Sequence, residues 1–307
     1  MRDVCQKHGF ACKQVIPGVP GTFPTFVAET DMDADQKLFS VVVKFFGPLF
    51  NGAGSFHIER ELGQWLGIHP LPIPSPAILA EGQLDHDWWY LIFERVAGVS
   101  IGQVMDKLSM DDWLVVARQM GEYMRCLHDH TMSKYPGLPI SMTPSMNKYA
   151  RFLKQQRRTC LANHQAWNDL PSHLLDQLEG FVLPVDQLVD FNASPHLIHA
   201  DLTADHLLGR LVNDRWQTLA VIDWGDAMTG NLLYELVALH LDLFRSNTTL
   251  LRVCLEAYGL PAFYQHDLPR KALSMVLLHP FPMPAWVYQT HWNTRTLPEL
   301  ADDLFAI

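Results

Sequence analysis

The sequence predicts an α+β chain in two parts: a small antiparallel sheet with one helix over residues 1–95, then a larger, mostly helical region over 96–307. Three observations predict it. Early stretches such as KLFSVVVKFF, residues 37–46, are rich in β-branched and aromatic residues, which favour strands. After residue 108 the apolar residues recur at helical spacing instead. Between 199 and 234 a strand-rich island interrupts that helical region. There two apolar runs, 206–212 and 218–222, are joined by Asn213-Asp214-Arg215, a hairpin signal.

Composition fits a chain with a substantial core. With 307 residues, 48% hydrophobic and 18% charged, it is long enough for one large domain or two lobes and too apolar for disorder. Five cysteines, at 5, 12, 126, 160 and 254, are scattered without a C-x-x-C pair, which points to a reducing compartment and away from a disulfide framework or zinc knuckle. The first residues, MRDVCQKHGF, lack an apolar signal core, and no apolar run is long enough to span a bilayer, so a cytoplasmic protein without a membrane partner is expected. A formal net charge of -10 disfavours nucleic acid and suits a cationic small-molecule partner.

Taken in order, residues 1–14 carry little pattern. GVPGTFPTFVAET from Gly18 reads as a turn entering a strand, and Gly18 and Gly21 would let that turn approach a phosphate closely. Lys44 is the only basic residue in VVVKFF, and the helix expected next carries Phe56, Glu59, Leu62 and Leu66 at helical spacing. The link with Pro70, Pro72, Pro74 and Pro76 cannot be helical and should run extended into a further strand. DWWYLIFERVAG then gives a strand ending near Glu94 to Val96 and a turn at Gly98.

Ser109 and Asp112 have capping-box spacing, and Trp113, Val116, Met120, Tyr123, Met124 and Leu127 form one apolar stripe behind them. His128 and His130 read as helix-end or core histidines. Helices are expected at 147–163 and 171–190, the first with a basic stripe of Lys148, Arg151, Lys154, Arg157 and Arg158 that reads as a solvated face. Further helices are expected at 231–244, 248–258 and 262–278. The tail 286–307 has no role that its residues define.

The hairpin is where chemistry gathers. Folding 206–222 back on itself should draw Asp201 and Asp223 near each other, and two carboxylates so placed call for a cation such as a divalent metal carrying phosphate. The order H-x-D, a ligand position five residues on, a hairpin and then I-D-W-G-D resembles the catalytic and metal loops of the aminoglycoside phosphotransferase and choline kinase family, whose fold is protein-kinase-like.

That resemblance implies a phosphotransferase using ATP and Mg2+, or Mn2+, on a hydroxyl of an aminoglycoside-like, amino-alcohol or sugar acceptor. It implies that Asp201 orients the acceptor hydroxyl and that Asp223 holds the metal. His206 stands at the second metal position, where the family has Asn. Lys44 would contact the α- and β-phosphates and pair with Glu59, with Glu61 as the other choice. Backbone groups at Glu94 and Val96 would meet the adenine edge, and Glu235 would be scaffolding.

His206 is a departure with chemical content, because Mg2+ prefers oxygen whereas Mn2+ accepts nitrogen readily. The rival readings are a catalytically silent nucleotide-binding protein of the same fold and an Fe(II) oxygenase using His199 and Asp201 with His279 or His291. The second of these requires a double-sheet barrel that the helical pattern after residue 120 does not support.

Overall fold

The structure, a computed structural model, describes residues 1–32, 38–129, 145–291 and 293–307; His130 lies outside them. The chain divides into two compact units. The first holds Met1–Gln103 and His206–Ala227, and the second holds residues 104–129, 145–205 and 228–307. The first unit thus runs past residue 95 and takes in the hairpin.

The first unit begins with α1 (Arg2–Lys7) and β1 (Cys12–Pro17), so residues 1–14 are more ordered than their pattern suggests. β2 (Thr25–Met32), β3 (Leu38–Phe46), α2 (Gly52–Ile68), β4 (Ile78–Asp85) and β5 (Trp88–Glu94) follow. The sheet is antiparallel throughout, in the order β1-β2-β3-β5-β4. β3 is therefore central, and its near-continuous hydrophobicity reflects cover on both faces. Alternation sends Val41, Val43 and Phe45 to a core with Cys5, Ala28, Tyr90 and Ile92, and turns Phe46 to a second core with Phe56, Leu91 and Phe93. Lys44 shares the face of Phe46, toward α2.

β6 (Val99–Ser100), β8 (Leu207–Val212) and β9 (Arg215–Val221) complete the unit as a three-stranded sheet. The β8–β9 hairpin closes on Asn213 and Asp214, at φ 50° and 58°. Both residues tolerate the left-handed region, as this two-residue turn requires. The turn is one residue tighter than the Asn213-Asp214-Arg215 loop expected. The register pairs Leu207 with Val221, and Ile222 N donates to the His206 carbonyl at 3.0 Å, which sets His206 beside the chain entering Asp223.

In the second unit, α3 (Met110–His128) opens with the expected capping box: Ser109 Oγ accepts from Asp112 N, and the Asp112 carboxylate accepts from Ser109 N. Val116, Met120, Tyr123, Met124 and Leu127 are buried, while Trp113 is only half-buried. α4 (Met146–Trp167) leaves all five residues of the basic stripe exposed. The helix expected over 171–190 is instead three short ones, α5 (Ser172–Leu175), α6 (Leu178–Phe181) and α7 (Val185–Leu188). Pro184 explains the last break, since it has no N–H and forces the residue before it out of the helical region.

β7 (His196–Ile198) pairs with β10 (Met228–Gly230). α8 (Leu232–Ala238) continues into one π-helical turn, Leu239–Leu243. α9 (Thr248–Tyr258) packs on α3 so closely that a Cβ on Gly121 would run into the Cys254 carbonyl.

The helix expected over 262–278 divides into α10 (Ala262–Gln265) and α11 (Leu268–Leu277). Asp267 between them sits at φ 55°, and Pro269 follows in the first turn of α11, where its missing N–H is harmless. The tail supplies α12 (Ala285–Thr290) and α13 (Leu297–Phe305). α13 is capped by a Thr296–Glu299 box and buries Leu300, Leu304 and Phe305 while packing on α11. His128 is a core histidine: its Nδ1 lies 2.9 Å from the Tyr258 hydroxyl, and its ring stacks on His196.

Candidate active site

Lys44 anchors the site in the first unit. Strand alternation aims it at α2, whose apolar stripe of Phe56, Leu62 and Leu66 also carries Glu59, 4% exposed. Lys44 Nζ donates to Glu59 Oε2 at 2.7 Å and to Asp223 Oδ1 at 2.7 Å. It also lies 5.1 Å from the centre of the Phe46 ring. An isolated ammonium could not be buried to 6% exposure without such partners. Burial would push the Lys44 ammonium down, but the two carboxylates outweigh it and hold Lys44 above the ordinary lysine value. Burial raises Glu59 above the usual carboxylate range, with Lys44 opposing and Asp223 adding to the rise. Glu61, the other choice, has its Oε1 3.4 Å from Arg60 Nη2.

Asp223 reaches this position in a left-handed conformation, φ 66°, between β9 and a 3-10 turn, Trp224–Asp226. Trp224 pins the turn by donating from Nε1 to Ser75 Oγ at 2.8 Å. Gly225 is hemmed in as well, because a Cβ there would lie 3.2 Å from Ser55 Cβ and 3.6 Å from both Asp223 Oδ1 and Glu59 Oε2. Burial raises the Asp226 carboxyl, and the negative charge of Asp223 raises it further.

With Oδ1 engaged by Lys44, Asp223 Oδ2 lies 3.5 Å from His206 Nε2. This pair, a hard carboxylate and an imidazole with side chains 33% and 18% exposed, is the donor set that could hold a divalent cation. Among the described residues no three or more His, Cys, Asp or Glu side chains gather as a metal cage. A cation here would therefore draw its other ligands from phosphate or water. The same observation shows that His199, Asp201 and a distal histidine do not assemble as a facial triad.

A cavity beside these groups is walled by Thr25, Val42, Phe93, Glu94, Val96, Leu208 and Ile222, with Lys44, Glu59 and Asp223 among its lining. Glu94 and Val96 thus reach the cavity; Glu94 N donates to Ala77 O, and Val96 O accepts from Gly98 N. Gly18 and Gly21 lie in the β1–β2 turn and are not part of that wall. Gly18 N donates to Thr25 O at 2.7 Å, and a Cβ at Gly18 would come within 2.9 Å of that oxygen.

Asp201 belongs to the second unit, on the loop after β7, where it is half-buried. The loop is held from below by Glu235, which is fully buried and accepts from Ala200 N at 2.9 Å and His199 N at 3.2 Å. Ala200 adopts φ 69°, a strained state for a residue with a Cβ, and that carboxylate stabilises it. Burial pushes the Glu235 carboxyl up to about 7 against those two hydrogen bonds, with the charge of Asp201 adding to the rise.

Sequence reasoning missed Asp242, whose Oδ1 accepts from Ala204 N at 2.7 Å. The available signal was two acids, Glu235 and Asp242, two turns apart in the otherwise apolar run LLYELVALHLDLF. The π turn sets the direction of Asp242, and such turns recur at functional sites.

A sequence profile described as the phosphotransferase enzyme family matches residues 23–270. Among solved structures, the GDP complex of aminoglycoside 2'-phosphotransferase-IIIa is 20% identical, with a TM-score of 0.69 over 90% of this chain and 86% of that one. The macrolide 2'-phosphotransferase MphH of Brachybacterium faecium is 16% identical, with a TM-score of 0.58 over 99% of this chain and 96% of that one. The streptomycin-ATP ternary complex of APH(2")-IIa is 17% identical, with a TM-score of 0.56 over 99% and 93%. Among curated proteins, lysine-specific demethylase JMJ21 of Arabidopsis thaliana is 25% identical over 224 residues, which are 61% of this chain. The match spans only 23% of that relative's length.

Proposed function

The chain belongs to the phosphotransferase enzyme family and has its protein-kinase-like fold, and from that premise we propose that it moves the γ-phosphate of ATP to a hydroxyl of a small, cationic acceptor. The observation that carries the reading is Lys44, an ammonium buried on the central strand between Glu59 and Asp223 and lining a cavity that Glu94 and Val96 also reach. Such a group neutralises non-transferred phosphates, the main demand of a reaction that needs alignment and charge stabilisation more than covalent help.

In this reading Asp223 and His206 hold the divalent ion, and backbone at Glu94 and Val96 meets the adenine edge. The turn containing Gly18 and Gly21 lies over the phosphates. Asp201 accepts a hydrogen bond from the attacking hydroxyl, on a loop braced by Glu235 and Asp242. The net charge of -10 supports a cationic acceptor, and the nucleotide and antibiotic complexes named for the neighbouring structures support a nucleotide and a small-molecule hydroxyl. Demethylation is not carried over from the Arabidopsis protein, most of whose length has no counterpart in this match.

The test is ATP-dependent phosphate incorporation across a panel of aminoglycosides, amino-alcohols and sugars, with Asp201→Ala as the blank. Transfer by the parent that drops on the order of 100-fold in the blank supports the assignment. Transfer that survives in the blank removes Asp201 from the chemistry, and nucleotide binding without any transfer favours a silent binding protein.

A further inference from the structure

α4 and α11 bring together a thiol, an imidazole and a carboxylate that the proposed chemistry does not use. Cys160 and His164 lie one helical turn apart on α4, so their side chains share a face. That face meets the C-terminal end of α11, where the last carbonyls have no partner inside the helix. The Leu277 carbonyl accepts from both, with Cys160 Sγ at 3.3 Å and His164 Nε2 at 2.9 Å. On the other side of the ring, His164 Nδ1 lies 2.8 Å and 3.0 Å from the two carboxylate oxygens of Asp169. Both ring nitrogens thus face acceptors, which calls for a hydrogen on each, so His164 is an imidazolium. The Cys160 thiol is also within hydrogen-bonding reach of that cation.

A thiolate is the form of cysteine that attacks, and a neighbouring imidazolium supports it. Cys160 also has access to a reagent. It lines a cavity of about 400 Å³, within the range of small-molecule sites, together with Arg157, Arg158, Glu179 and Val182. Arg157 Nη2 donates to the Val182 carbonyl at 3.2 Å, which fixes its guanidinium at the cavity wall, and Arg158 is exposed. α4 carries Lys148, Arg151, Lys154, Arg157 and Arg158 and no Asp or Glu, and among the described residues that line the cavity Glu179 is the single acid. This wall favours an anion. We propose that Cys160 is a modification site: its thiolate exchanges with small disulfides that carry carboxylates, which Arg157 and Arg158 draw into the cavity. In that step Cys160 gives its proton to water, its sulfur attacks one sulfur of the disulfide, the old S–S bond breaks, and the leaving thiolate takes a proton from water. His164 stays protonated throughout. The product is a mixed disulfide on α4 that a free thiol reverses.

The experiment treats the full, reduced chain at neutral pH with glutathione disulfide, an anion, with cystamine, a cation, and with uncharged hydroxyethyl disulfide. Each cysteine is followed by peptide mass mapping. Exposure alone favours Cys12 and Cys126, which are half-buried, over Cys160 at 6%. The expected result with glutathione disulfide is the reverse, Cys160 being labelled before both. Cys160 should also react on the order of 10-fold faster with glutathione disulfide than with cystamine, against the pull of a net charge of -10. Arg158→Gln, at an exposed position, should lower the glutathione disulfide rate on the order of 3-fold and leave the hydroxyethyl disulfide rate as it is. His164→Asn should slow all three reagents. Should that variant not fold, the charge comparison in the parent and in Arg158→Gln decides. Labelling of Cys160 after Cys12 and Cys126, or at one rate by both charged disulfides, would overturn the inference.

Discussion

Lys44 is the residue whose loss should be felt most widely. Lys44→Met keeps the length of the side chain but leaves Glu59 and Asp223 facing each other without their shared cation, both within hydrogen-bond reach of one vanished atom. Breaking a buried pair of this kind costs about 3–5 kcal/mol, reduced here to the extent that Glu59 takes up a proton. Urea unfolding should therefore show a clear loss of stability, and calorimetric titration should show ADP binding weakened on the order of 100-fold. A variant with the parent's stability and ADP affinity would remove Lys44 from both roles.

Glu235 makes a different prediction because burial, and not a buried cation, dominates its surroundings. Its folded value of about 7 lies above the 4.5 usual for a glutamate carboxyl, so the native chain holds this proton to higher pH than the unfolded chain does. Stability from this group is therefore present below the unfolded value and declines as pH rises to about 7, levelling off above. In Glu235→Gln that decline should vanish from the pH dependence of the unfolding free energy. The amide should also satisfy only one of the two N–H groups of His199 and Ala200, which would loosen the loop that carries Asp201.

Among the elements, the end of α4 is tied down by a buried ion pair. His164 Nδ1 lies 2.8 Å from Asp169 Oδ1 and its Nε2 lies 2.9 Å from the Leu277 carbonyl, while Asp169 Oδ2 accepts from Met283 N. Burial alone would push this imidazole down, but the Asp169 carboxylate and the other hydrogen bonds outweigh it and lift His164 to about 10. The stability contributed by a histidine raised in this way is complete below about 6.5 and is lost as pH climbs toward 10. Asp169→Asn should cost about 3–5 kcal/mol at neutral pH and flatten that alkaline loss in a pH series of urea midpoints. An unchanged series would mean that the pair is only a packing contact. The tie joins α4, α11 and the segment before α12 within one unit, and no local sequence pattern announces it.

For the molecule as a whole, binding linkage gives the broadest check. A ligand that binds only the folded chain adds RT ln(1 + [L]/Kd), about 2.7 kcal/mol at one hundred times Kd. ADP with a divalent metal should therefore raise the thermal midpoint by several degrees. In Asp223→Asn the part of that rise due to metal should disappear while some of the part due to ADP alone remains. A metal-dependent rise that persists in the variant would place the cation elsewhere.

Much of this molecule was determined by its sequence alone, because local patterns act locally. The β-branched and aromatic run VVVKFF made a strand, the spacing of Phe56, Glu59 and Leu62 made a helix with an acid on its buried stripe, Ser109 and Asp112 made a cap, and the loop at Asn213-Asp214-Arg215 made a turn. What only the tertiary structure decided were outcomes set by partners distant in the chain. Packing on both faces put Lys44 in the central strand, and Asp223 reached it across 179 positions. A π turn inside an apolar helix sent Asp242 to the loop at Ala204. The stretches 171–190 and 262–278 read as single helices because their apolar spacing is helical, yet proline and a left-handed aspartate divide them where the second unit needs shorter pieces. Spacing along a chain records which face a residue shares with its near neighbours; it holds no record of what will be packed against that face.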